Sequence, residues 1–368
     1  MVTNLMNKKK RVMLALTAGI FSLSSTACSS QLRNEEYIRA LERIVISNDG
    51  TLHDNKGIHI QGKLTRPKSR PTTFLEEVWK TETKCISVEI HKPSDTCPTH
   101  TIVVLPTLGE PVESIRIFSK TLAGYGNRVV AVDVQRELFK QGAGIREVLP
   151  TIEMVISKIH HEFEGSLACL GSSTGGNILM DYALSDYPSI KYIDAYAIHA
   201  SYLPFATDLA RQMNPRIGLA QGCISRKIIK ALKPRLTLKD ILLDPKKRYN
   251  GTELEHSIDE NPGYTKDFDT GTYFEYVNFT PKRSLSELNR PLLIIAGNND
   301  RLVPKEHLAK LWDRFQSQRE APTEIYIVHN RFGEFRDAPH MGLDTNPEEI
   351  SAVIHHYVGE IKKRTTPP

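Results

Sequence analysis

A serine with glycine at both second neighbours, Gly171-Ser172-Ser173-Thr174-Gly175, follows directly on the apolar run Ser166-Leu167-Ala168-Cys169-Leu170. The form G-x-S-x-G belongs to a sharp turn between a buried strand and a helix, with the central serine at its apex. Such a turn forces the serine backbone into a strained conformation, and a side chain at either second neighbour would collide with the crossing chain. Glycine at 171 and 175 removes both collisions. The chemistry this allows is nucleophilic. Ser173 would attack a carbonyl carbon, and the amide of Thr174, at the start of the helix, would hydrogen-bond the oxyanion that forms.

A serine hydroxyl is a poor nucleophile near neutral pH, so it needs a base within hydrogen-bond reach and a third group to orient that base. Asp300, in Gly297-Asn298-Asn299-Asp300-Arg301-Leu302-Val303-Pro304, lies just beyond the apolar run Leu292 to Ala296. The same position would equally suit an aspartate that caps a helix beginning near Pro304. Of the 13 histidines, His160, His161, His355 and His356 fall in predicted helices and read as surface or packing residues. His329, directly after the last predicted strand, and His340, in Asp337-Ala338-Pro339-His340-Met341-Gly342, remain as candidate bases. No cysteine and histidine spacing suits a metal ion, and no cofactor is expected.

The elements that must position these groups are read from apolar periodicity. Thr101 to Leu105 is a continuous apolar run closed by Pro106, as in a strand buried on both faces. A helix over Glu113 to Leu122, a strand over Arg128 to Val134, and a helix over Leu149 to Phe163 lead to the strand before Ser173. Strands over Tyr192 to Ile198, Pro291 to Ala296 and Glu324 to Val328, then a closing helix over Pro347 to Ile361, complete the series. This alternation predicts an α/β protein: a mostly parallel sheet with helices on both faces, its working residues on loops beyond the carboxyl ends of the strands. Residues 28–80 form a polar tether and an N-terminal region with a strand-like stretch at 57–62; 81–200, which opens on a strand-like stretch from Lys84 to Lys92, and 291–368 are the two parts of the core.

The intervening 201–290 is too long for an ordinary crossover and is expected to form a helical lid or cap. Leu203-Pro204-Phe205-Ala206 and the aromatic group Tyr264, Phe268, Tyr273, Phe274, Tyr276 and Phe279 would either line an acyl pocket or pack the lid itself. Lys227, Lys230, Lys233, Arg235 and Lys239 make the segment locally basic, which suits a solvated face or contact with anionic lipid headgroups.

From about residue 84 to 363 the chain resembles the α/β-hydrolases, and in layout it is similar to serine hydrolases of the lysophospholipase and monoglyceride-lipase type. Three positions carry the resemblance together: the elbow around Ser173, the Gly-Asn-x-Asp segment ending at Asp300, and His340, seven residues before Pro347 at the closing helix. It implies Ser173 as nucleophile, His340 as general base and then acid, and Asp300 as orienter of the imidazolium. His340 is preferred to His329 because the family carries its base on the loop before the last helix. It also implies a second oxyanion donor on the loop after Thr101 to Leu105. Where the family has His-Gly, this chain has Pro106-Thr107-Leu108-Gly109-Glu110, and aligning the strand ends assigns the amide of Leu108. The implied activity is hydrolysis of a carboxylic ester, with a lipid-like acyl substrate, through an acyl-enzyme. The same triad would serve a proline-type aminopeptidase, and a third alternative is a non-catalytic binding or scaffold lipoprotein that keeps the fold.

Residues 1–27 read as an export signal: Lys8, Lys9, Lys10 and Arg11, a short apolar stretch from Val12 to Leu23, then small residues ending at Cys28. The stretch is shorter than the roughly 20 residues a membrane-spanning helix needs. Cysteine at the boundary makes the leader similar to a bacterial lipoprotein signal, which implies lipidation of Cys28 and attachment to the cell envelope, with Ser29 favouring the outer membrane. Those four cations supply most of the net charge of +5, so the basic balance is no argument for nucleic-acid binding. In an exported chain Cys85 and Cys97 could form a disulfide, whereas Cys169 and Cys223 read as buried thiols.

Overall fold

The computed structural model describes residues 51–53, 66–80, 85–107, 109–134, 143–201, 227, 230–232, 234–237, 267–297, 300, 303, 320–328 and 342–365. The chain divides into two compact units, Met1–Val45 and Ile46–Pro368, and the described residues all belong to the second. The leader, Cys28, Cys223, the stretch at 57–62 and most of 201–266 lie outside them.

In chain order the strands are β1 (Thr51–His53), β2 (Thr72–Lys80), β3 (Cys85–Pro93), β4 (His100–Leu105), β5 (Arg128–Val132), β6 (Ser166–Ser172), β7 (Ala195–His199), β8 (Arg235–Thr237), β9 (Asp267–Asp269), β10 (Leu292–Gly297) and β11 (Thr323–Val328). The helices are α1 (Arg116–Gly124), α2 (Ile145–Glu162), α3 (Thr174–Ala183), α4 (Thr270–Val277), α5 (Gly342–Thr345) and α6 (Pro347–Thr365). Nine strands form one sheet in the order β1-β11-β10-β7-β6-β4-β5-β3-β2. The run from β11 to β5 is parallel throughout, and antiparallel pairs add β1 at one edge and β3 and β2 at the other. The expected mostly parallel sheet is therefore present, and β6, which carries Ser173 at its end, lies at its centre.

Apolar side chains fill both faces of the central strands, which is why these segments are continuous Val, Ile, Leu and Ala runs rather than alternating ones. On one face Ile102, Val104, Leu170 and Ile295 pack with Phe118 and Leu122 of α1 and Val353 and Tyr357 of α6. Helices α2 and α3 pack together elsewhere on the sheet. Helix α2 begins a turn earlier than the run from Leu149 suggests and holds Pro150 inside it. An interior proline costs about 3 kcal/mol relative to alanine. The apolar stripe Ile145, Val148, Ile152, Val155 and Ile159, all buried, offsets that cost, since each such side chain contributes about 1.5–3 kcal/mol.

Both sheet edges come from the region before residue 81, where the sequence pattern is weak. β1 pairs with β11, and β2 pairs along its whole length with β3. Cys97 is a free, exposed thiol, so the disulfide considered for Cys85 and Cys97 is not formed. Cys169 is buried in β6 as expected, and burial pushes its thiol well above the ordinary range. Among the described residues no helix is long and apolar enough to cross a membrane.

On the closing helix His355 is sensitive to pH. Burial, aided by the nearby His356 and Arg70, pushes the His355 imidazole down to about 4, and Nδ1 accepts a hydrogen bond from the Asn127 side chain at 3.3 Å. The unfolded chain therefore takes up the extra proton between about pH 6.5 and 4, so stability is full above that window and falls as pH drops through it. In His355→Gln the denaturant midpoint should fall less between pH 7 and pH 4 than in the wild type; parallel falls would count against this.

Candidate functional site

The chain leaves β6 at Ser172 and enters α3 at Thr174, with Ser173 alone at the bend. Ser173 has φ 50 and ψ −115, a conformation that bulky L-residues avoid and that costs about 1–3 kcal/mol. Local bonds hold it there. Its N–H donates to His199 O of the neighbouring β7 at 2.7 Å, and its carbonyl accepts from Gly176 N at 3.0 Å and Asn177 N at 3.2 Å. The ring of His199 is 3.1 Å through Nδ1 from Ser172 Oγ, so this fully buried histidine braces the strand end beneath the elbow.

The predicted crowding is real at Gly171. A Cβ there would lie 2.5 Å from Gly175 O, Gly176 Cα and Gly176 N, all backbone atoms that cannot move aside. A further close approach, absent from the five-residue motif, is at Gly176. A Cβ there would run into Ser201 Oγ and come within 2.8 Å of Ser201 Cβ. The Gly175-Gly176 pair was the only sequence signal for it.

As the first residue of α3, Thr174 has an amide with no carbonyl partner within the helix, in a site that attracts negative charge. Along the same helix, Thr174 and Asn177 lie beside the buried Tyr276 hydroxyl of α4, with Asp181 close by. Burial pushes the Asp181 carboxyl well above the usual carboxylate range. The segment 201–290 thus reaches α3 through α4. Phe268, Tyr273, Phe274 and Tyr276 are all buried there, and Phe279 is half-buried. Lys227, Lys230 and Arg235 are exposed. The rest of the expected lid, including 203–206 and Tyr264, falls outside the described residues.

Asp300 lies three residues beyond the end of β10, and β7 alone separates β10 from β6. It is buried, and its Oδ1 accepts from Val303 N at 2.9 Å. The turn-capping use of this aspartate is therefore present, and it occupies one carboxylate oxygen. Beyond β4, the buried Glu110 closes the loop on itself: Thr107 N donates to Glu110 Oε2 at 3.0 Å and Ser114 Oγ to Glu110 Oε1 at 2.9 Å. The Thr107 amide is thus committed, and Gly109 takes φ 75, open mainly to glycine. Leu108, His329 and His340 lie outside the described residues. Helix α5 packs against the short 3-10 turn Val112–Ile115 that follows the Glu110 loop. Among the described residues no cluster of histidine, cysteine and carboxylate side chains could hold a metal ion.

A strained serine beyond the central strand of a mostly parallel sheet, with a helix amino terminus directly after it, defines an α/β-hydrolase. The chain belongs to the serine aminopeptidase S33 family of hydrolases, which it matches over residues 96–330. Its fold is similar to a lipase in an open form (TM-score 0.59, 13% identity, 78% of this chain and 99% of that one). It is similar also to a soluble variant of monoglyceride lipase from Saccharomyces cerevisiae with a substrate analog (TM-score 0.54, 12% identity, 83% and 100%). Est1E from Butyrivibrio proteoclasticus is a further likeness (TM-score 0.50, 13% identity, 78% and 99%). No curated protein sequence matches the chain.

The strain at Ser173 has a measurable cost. Ser173→Gly should be about 1 kcal/mol more stable to urea than Ser173→Ala, because glycine accepts a positive φ and alanine does not. Equal stabilities would show that the bend is unstrained.

Proposed function

We propose that the protein is a serine hydrolase that cleaves carboxylic esters, of a lipid-like acyl class, through an acyl-enzyme. The observation that carries this reading is the Ser173 elbow: φ 50 on a non-glycine residue, retained in spite of its cost, at the amino end of α3. Strain of that kind persists where the surrounding structure over-determines it, and it clusters at reactive residues.

In this reading Ser173 Oγ attacks the ester carbonyl while His340 takes its proton. Asp300 orients the imidazolium. The amides of Thr174 and Leu108 hold the oxyanion, and His340 then protonates the leaving alcohol. Water, activated by the same imidazole, releases the acid. The commitment of the Thr107 amide to Glu110 supports Leu108 as the loop's donor. The tether to the envelope through Cys28 rests on the leader alone and would hold the enzyme close to acyl lipids, with the exposed cations of 201–290 as a second contact for anionic headgroups.

A second reading keeps the triad and has it cleave an amide, in accord with the description of the family as serine aminopeptidases. The two separate on substrate. Short-chain p-nitrophenyl esters and monoacylglycerols should be turned over well and amino-acyl amides poorly; the opposite ranking would establish the peptidase. Ser173→Ala should lose ester turnover by at least about 10⁴-fold with the fold intact, and His340→Ala should be severe where His329→Ala is mild. Failure of wild-type protein to react with a fluorophosphonate would favour the scaffold alternative.

A further inference from the structure

Beyond β7 the chain makes a second strained turn. Ala200 has φ 49, rare for a residue with a Cβ, and its N–H is held by Ile295 O of β10 at 2.9 Å. That turn delivers the buried Ser201 beneath the elbow. Ser201 Oγ lies 3.0 Å from Ser173 O and 3.1 Å from His199 O, both within donating distance. The two amides from the first turn of α3 that also reach Ser173 O are ordinary helical bonds. The Ser201 hydroxyl is an additional donor, supplied from a different strand, and the room for it exists because residue 176 is glycine.

The peptide joining Ser173 to Thr174 is a rigid plane, and in a trans peptide the C=O and the following N–H point in opposite directions. Whatever fixes the Ser173 carbonyl therefore fixes the Thr174 amide. We propose that Ser201 is a positioning residue for the oxyanion hole: by holding the Ser173 carbonyl from the β7 side, it aims the Thr174 N–H at the oxygen of the tetrahedral intermediate. This rests on the reading of Ser173 as nucleophile. It accounts for a feature that the nucleophile alone leaves unexplained, the strained Ala200, and adds a second reason for glycine at 176, where a Cβ would also lie 2.9 Å from Gly171 O. A relaxed turn at 200 would carry the hydroxyl away, and a side chain at 176 would displace it.

Ser201→Ala removes only the hydroxyl and leaves both carbonyls with other donors, so the variant should fold. With p-nitrophenyl butyrate, kcat should fall about tenfold while KM changes less than about twofold, because the bond that misalignment weakens, from the Thr174 amide, is made only with the developing oxyanion. The rate of fluorophosphonate labelling at Ser173, which passes through a similar charged centre, should fall by the same factor, and Ser201→Thr should regain part of both. A kcat and labelling rate within twofold of wild type in Ser201→Ala would overturn the proposal, as would a rise in KM with kcat unchanged. Absence of labelling in the wild type would overturn the nucleophile reading and this one together; labelled wild type with an unaffected Ser201→Ala would remove this one alone.

Discussion

The site depends on how closely α3 approaches the two strands beneath it. At Gly171 the first turn of the helix leaves no room for a single carbon atom, and at Gly176 the space is taken by Ser201. Only a bend with φ 50 at Ser173 brings the chain back over its own strand so tightly. The cost, about 1–3 kcal/mol, is comparable with burying one or two aliphatic side chains. A sheet covered on both faces supplies that many times over.

The parallel order of the sheet turns this local bend into a site. Because β6 is central, the ends of β4, β7 and β10 surround it, and each sends a polar group to the same edge: the Glu110 loop, His199 with Ser201, and Asp300. Each is buried, and each is tied to backbone or to a neighbouring side chain. Loops held this way keep their geometry without substrate, which is what preorganised electrostatic stabilisation needs. Helix α4 joins the arrangement, its Tyr276 sharing a buried polar seam with Thr174 and Asn177.

Much of this was legible in the chain. Apolar runs of five to seven residues marked the parallel strands within a residue or two, except that β7 begins at Ala195, three residues after the expected Tyr192, which ends a 3-10 turn; a strand buried on both faces needs apolar residues at every position. The elbow was legible because its sterics demand glycine. The edge strands β1 and β2 were not, because an edge strand is half exposed and its sequence, as in Thr72–Lys80, mixes Phe74, Leu75 and Val78 with Glu76 and Glu77. Pro150 hid the start of α2 because a local rule about proline was outweighed by burial of a whole helix face. Aspartate at 300 left two uses open from sequence, and the turn at Val303 is one of them in fact.

By itself, then, the sequence determined the class of fold and the place of the elbow at Ser173, because hydrophobic periodicity and obligatory glycines are local consequences of burial and sterics. Only the tertiary structure decided what braces the elbow. His199, Ser201, Glu110 and Gly176 carry no motif, since their roles come from distances between segments about 25 residues or more apart in the chain, or from a loop closing on its own carboxylate. Those distances exist only once the strands are side by side.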